Sequence, residues 1–157
     1  MEYRIISLPP FRAASSGLDQ AGDFAEDGLL HRFDRYFSAI KPCPRDSFIP
    51  RDFLYYDEAH GGMVWIYALS EDIDAGENET VEFEGGYYLT YTYRDGDGAE
   101  NDRLYKGALD FIAESGVLEL DVRQGHYVMG HIITPPDLIE AQDWAQMETF
   151  IPVKLKE

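Results

Sequence analysis

Ala145-Gln146-Met147-Glu148-Thr149-Phe150-Ile151-Pro152-Val153, close to the C-terminus, sets one carboxylate among apolar and aromatic neighbours. At the two-residue period of a strand, Met147, Thr149, Ile151 and Val153 share one face, and Gln146, Glu148 and Phe150 share the other. The first face reads as core. The second makes Glu148 the leading candidate for a polar anchor in an otherwise apolar binding site. The plainer reading of Glu148 is an exposed glutamate on a solvated sheet face.

Outward from this strand, the chain reads as strand-helix-strand-strand, twice. Tyr3 to about Ser16 is an edge strand bent at Pro9-Pro10. A helix is expected between about residues 22 and 40, burying Leu29, Phe33, Tyr36, Phe37 and Ile40, and Pro42 and Pro44 stop it. Residues 53–57 and 63–69 form a hairpin around Gly61-Gly62. In the second half, Val81 to Tyr93 is a long aromatic strand region with a bulge or bend at Gly85-Gly86. An acidic loop, Asp95-Gly96-Asp97-Gly98, leads to a helix over about residues 100–115 that buries Leu104, Ala108, Phe111 and Ile112, with Gly116 as its cap. Residues 126–134, a Pro135-Pro136 loop with a short helical turn, and the closing strand complete it; residues 121–142 show no obvious tight hairpin.

One such unit cannot bury both faces of its sheet, so two are expected to pair, about 1–78 with 79–157, as one domain. The fold class is α+β: a curved antiparallel sheet with two helices on one face and a cleft on the other. Alternation assigns Val64, Ile66 and Ala68 to the helix side and leaves Trp65 and Tyr67 for the cleft with Glu148 and Phe150. Tyr87 and Tyr91 are further pocket candidates, against a plainer role in cross-strand packing. Trp144 either caps the cleft or covers the end of the core.

The composition narrows the chemistry. Of 157 residues, 45% are hydrophobic, enough for a core, and eleven Tyr, nine Phe and two Trp exceed what a small core needs. Thirty acidic residues against thirteen Lys and Arg give a formal charge of −17, which repels phosphate backbones and argues against direct nucleic-acid binding. Cationic ligands or basic partners are electrostatically easier. Cys43 is the single cysteine, which excludes an intramolecular disulfide, and no neighbouring histidine makes it a nucleophile pair. No apolar run reaches a membrane-spanning length of about 18 residues, and no signal-like leader is seen, so a cytoplasmic location with no membrane partner is expected. His126 and His131 lie five residues apart, on opposite faces of a regular strand, and the acidic loop lacks the full calcium-ligand pattern. No metal and no cofactor is expected.

These elements together resemble the gyrase-inhibitor-like small-molecule-binding domain, the effector-binding portion of multidrug-responsive transcription regulators. The resemblance rests on the opening strand with Phe11, the hairpin with Tyr55-Tyr56-Asp57 and Val64-Trp65-Ile66-Tyr67, the Gly85-Gly86-Tyr87-Tyr88 junction, both helices, and the terminal strand. Glu148, Phe150 and Pro152 match that family's terminal glutamate, aromatic and proline. What the resemblance implies is a central cleft that holds planar, often cationic, organic small molecules between aromatic walls. With the residues that alternation places there, the candidate ligand-binding set is Glu148, Trp65, Tyr67, Phe150, Tyr87, Tyr91 and Gln146. No helix-turn-helix segment precedes the domain in this sequence, so a stand-alone binder is expected, and transcriptional control would require a separate regulatory protein partner. Two alternatives follow from the same resemblance. One is a hydrolase of strained electrophilic compounds, with Glu148 activating water and Tyr67 or Tyr127 donating a proton. The other is an inhibitory protein-interaction domain using the acidic surface.

Overall fold

The chain switches between two spatial units at Pro9–Pro10 and again at Glu84–Gly85. Unit 1 holds Met1–Pro9 and Gly85–Glu157; unit 2 holds Pro10–Glu84. The structure is a computed structural model that describes residues 1–21, 24–40 and 51–157. Cys43, Pro42 and Pro44, and the expected start of the first helix at residue 22, lie outside the described residues. The fold is α+β, with the strand-helix-strand-strand order present twice.

In unit 2, β2 (Phe11–Ser15), β3 (Asp52–Asp57), β4 (Gly62–Ala68) and β5 (Glu79–Phe83) form an antiparallel sheet in the order β3-β4-β2-β5. The β3–β4 hairpin pairs Asp52 with Tyr67 and Asp57 with Gly62. Its turn is closed by Asp57, whose carboxylate accepts from the His60 backbone N–H, and by Gly61 at φ 68°, a left-handed conformation that glycine adopts without cost. A Cβ on Gly62 would meet the Asp19 carbonyl oxygen at 2.6 Å, so the close approach there requires glycine.

One helix, α1 (Leu29–Ser38), covers this sheet, burying Leu30, Phe33 and Phe37 at the three-to-four-residue spacing of a single stripe. Tyr36 points outward and donates its hydroxyl to the Asp74 carbonyl. The side assignment of the fourth strand is the reverse of that expected. Trp65 and Tyr67 pack beneath α1, Tyr67 stacked on Phe37 at 4.3 Å and Trp65 tilted against Phe33 at 6.2 Å. Val64, Ile66 and Ala68 occupy the opposite face and are the more deeply buried. The chemistry of the rings explains this: one ten-residue helix leaves the rim of its face wet, and Trp65 uses that rim to donate its indole N–H to Asp52. Purely aliphatic side chains suit the drier face, where Phe11, Phe53 and Phe83 also stack.

Unit 1 is built from β1 (Arg4–Leu8), β6 (Gly86–Arg94), β7 (Leu118–Leu120), β8 (Met129–Ile132) and β9 (Gln146–Leu155). β9 is central: β6 flanks one side, while β8 and β7 share the other, pairing with its N-terminal and C-terminal parts. β1 pairs with the outer edge of β6. The helix α2 (Gly98–Glu114) packs Leu104, Ala108 and Ile112 onto Leu89, Tyr91, Ile151 and Val153. Asp97 caps it by accepting the Glu100 backbone N–H at 3.0 Å, and Gly116 ends it at φ 73°. A short helix, α3 (Pro136–Gln142), starts at the expected Pro135-Pro136 step. β7 has no counterpart among the elements expected from the sequence. A tight two-residue turn at Gln124-Gly125, closed by paired backbone bonds between Arg123 and His126, was likewise not expected in this stretch.

Candidate functional site

The face of unit 1 that α2 does not cover is built in cross-strand rows. One row runs Arg4, Thr90, Phe150, Met129 across β1, β6, β9 and β8; the next runs Thr92, Glu148, His131. Ile6, Tyr88 and Pro152 form a third. Strand pleating sends all of these side chains to one face, so residues from four strands converge on Glu148. The middle of this face is dry, with Met129, His131 and Phe150 each at most 2% exposed and Glu148 4% exposed, while Arg4 and Thr92 at its margin are exposed.

A carboxylate buried this deeply must be satisfied. Arg4 forms an ion pair with Glu148 Oε1. His131 Nε2 stands 3.5 Å from Oε2. Burial pushes the Glu148 carboxyl up, but the neighbouring polar groups of His131, Arg4 and Thr90, with the Arg4 charge, outweigh it and hold the group below the ordinary glutamate value. Glu148 therefore favours the ionised form, with Arg4 as its hydrogen-bonding partner. Of these neighbours, His131 and Thr90 are buried, whereas the Arg4 side chain is 65% exposed. Aromatic rings close the cluster: His131 meets Phe150 edge-on at 5.0 Å, and Tyr88 meets Phe150 at 6.3 Å.

The structure brings Glu148 and Phe150 together on one face, as their alternation requires. The second tyrosine pair falls elsewhere. Tyr91 lies on the α2 face, where burial raises its phenol to about 12 and the hydroxyl donates to Asn101 Oδ1 at 2.7 Å. Tyr87 shares that alternation face and is exposed. The reason is register: Leu89 and Tyr91 sit opposite Ile151 and Thr149, so the odd-numbered residues of β6 follow the core face of β9. Tyr88 and Thr90 take the Glu148 face instead. Gln146 is exposed at the start of β9, its backbone N–H donating to Thr134 Oγ1. Tyr127 is half-buried, two residues ahead of β8. Trp144 lies under the Arg94 guanidinium, 5.5 Å from its ring centre. Trp65 and Tyr67 belong to the α1 face of unit 2, as described above.

Arg4, Thr90 and His131, which surround Glu148, are not among the residues that the sequence singles out for the cleft. In sequence His131 stands out only beside His126, as a metal-ligand candidate, and Arg4 precedes Glu148 by 144 positions. His126 is a separate feature: its Nδ1 lies 2.9 Å from Asp121 Oδ2 and its Nε2 lies 2.8 Å from the Gly85 carbonyl oxygen, tying the turn to the glycine pair. Among the described residues no three His, Cys, Asp or Glu side chains cluster as a metal centre, and no helix is long and apolar enough to cross a membrane. A depression of about 620 Å³ in unit 2, between α1 and the segment Gly76–Glu79, is lined by Arg32, Phe33, Tyr36, Glu77 and Glu79 among others. Its walls mix both charge signs and contain none of the expected site residues.

No known protein family matches the chain, and no curated protein matches it. Solved structures do. The C-terminal domain of EcmrR is 12% identical, with 97% of this chain and 96% of that one covered at a TM-score of 0.63. SAV2435, solved bound to tetraphenylphosphonium, is 11% identical over 98% of this chain and 94% of its own, at a TM-score of 0.59. A hydrolase from Listeria innocua is 14% identical over 98% and 92%, at a TM-score of 0.59. At these identities the likeness is one of fold.

Proposed function

We propose that this chain binds organic cations that carry flat aromatic surface, with Glu148 selecting charge and Phe150 and Tyr88 backing the site. The observation that carries this reading is a carboxylate buried beside aromatic rings yet kept ionised. A fixed negative charge in a dry aromatic setting attracts a delocalised cation through both Coulomb energy and ring faces, the latter adding about 0.5–2 kcal/mol. The fold supports it, since SAV2435 shares the fold and was solved with an organic cation bound. In this proposal Trp65, Tyr67 and Tyr91 serve packing, and Tyr87 and Gln146 lie at the margins.

Binding is favoured over hydrolysis by the state of the carboxylate. A general base works best when its pKa is raised toward the operating pH. Glu148 is held below its ordinary value and is paired with Arg4, which suits a fixed counterion. The test is calorimetric titration of matched cationic and neutral planar compounds into the wild type and into Glu148→Gln. The wild type is expected to prefer the cations, and Glu148→Gln to lose that preference by about tenfold. Equal affinity for both classes in both proteins overturns the proposal.

A further inference from the structure

We infer that Arg4 is a built-in competitor for the site: its guanidinium occupies the position that a ligand's cationic group takes, and ligands bind Glu148 by displacing it. The inference rests on the binding role proposed above for Glu148. Three observations carry it.

The first is occupancy. Glu148 accepts from Arg4 at Oε1, and His131 Nε2 stands 3.5 Å from Oε2. The guanidinium is thus already seated at Oε1, the carboxylate oxygen that a mostly exposed side chain reaches from solvent. A cation that pairs with Glu148 at Oε1 must take the place of the guanidinium already there.

The second is access. His131 and Thr90 are buried, and both emerge from strands paired on both flanks or directly alongside β9. Arg4 is different: it sits at the start of β1 with a mostly exposed side chain. Swinging an exposed arginine into water leaves its own charge hydrated, whereas withdrawing a buried histidine would open a hole in the core. Arg4 is the donor that yields at least cost.

The third is charge balance. Arg4 and Glu148 together are neutral, so the resting pair itself adds little to the attraction that the acidic chain exerts on a ligand cation. Removing the Arg4 charge uncovers the Glu148 charge. The arginine thus sets a threshold: weakly basic or well-hydrated amines fail to outcompete it, while soft, delocalised cations that also gain ring contact succeed. Arg4 acts as a specificity-determining residue.

The experiment titrates tetraphenylphosphonium and, as a neutral counterpart, triphenylphosphine oxide into the wild type, Arg4→Met, Glu148→Gln and the double variant. Arg4→Met keeps the length of the apolar stem, and Arg4→Gln serves as a second variant should it fail to fold. The ratio of cation to neutral affinity is expected to rise about three- to tenfold in Arg4→Met. That gain should vanish in the double variant, because it depends on the Glu148 charge. An unchanged or reduced ratio in Arg4→Met, while Glu148→Gln still loses cation binding, overturns the competitor role and leaves the binding role standing. A gain shared equally by the neutral compound overturns it too, since it reports space and not charge. Absence of tetraphenylphosphonium binding in every protein overturns both.

Discussion

At the scale of the residue, the fold has converted a strand glutamate into a buried, ionised group, and its stability should follow pH accordingly. The native carboxyl is held below its ordinary value, so folding favours the charged form. The stabilisation is complete above the unfolded value of about 4.3 and is lost as pH falls through the lower native value. At neutral pH, Glu148→Gln is expected to cost about 1–3 kcal/mol, discounted from a fully buried pair because Arg4 is mostly in water. Urea unfolding at about pH 7 and about pH 3 checks this: the gap between wild type and variant should narrow in acid. A gap that stays constant would show that shape, and not charge, sets the cost. Glu148 was legible in the sequence because everything that marks it is local, an acid flanked by Met147, Phe150 and Ile151 in a period-two run. Its partners were not. Arg4, Thr90 and His131 reach it through the registers of three strand pairs, and register across distant segments leaves no mark on any one of them.

At the scale of the element, legibility tracked how completely local chemistry decides the outcome. α2 was readable from its stripe of Leu104, Ala108 and Ile112 and from Gly116 behind it. The acidic loop ahead of it, a weak calcium-loop likeness in sequence, turns out to supply the helix cap through Asp97. Asp97→Ala is therefore expected to destabilise the chain by about 1 kcal/mol, read as a lower urea midpoint with an unchanged slope. An unchanged midpoint would mean that solvent satisfies the freed N–H groups as well as the aspartate does. The bend at Gly85-Gly86 was also readable, and both glycines adopt positive φ, at 78° and 135°. The face of β4 was not. Alternation divides Trp65 and Tyr67 from Val64 and Ile66 without stating which set meets the helix, and the rule that aliphatic residues face helices fails where the helix is itself aromatic. Three residues, too few to show a period, hid β7.

At the scale of the whole molecule, the chain's path through the two units has a consequence that neither half of the sequence announces. The first strand region is cut at Pro9–Pro10, and its two pieces serve different units: β1 pairs β6 in unit 1, and β2 pairs β4 and β5 in unit 2. Residues 1–9 are thus separated in sequence from everything else in the unit they complete. Besides the β6 edge, they carry Arg4 to Glu148 and Tyr3 to α2, where the Tyr3 hydroxyl donates to the Leu104 carbonyl and its ring packs on Phe111. A ring of this size brings more than its own area to the core, and its loss leaves α2 without part of its base. Deleting residues 1–9 should consequently loosen unit 1 selectively, although the cut lies next to unit 2 in the chain. Hydrogen exchange followed by mass spectrometry checks this, because local opening is reported segment by segment. Amides of β6 and α2 are expected to lose protection, while those of β3 and β4 keep theirs. Equal loss in all four would show that the two units unfold as one cooperative body, with β1 contributing to the stability of both.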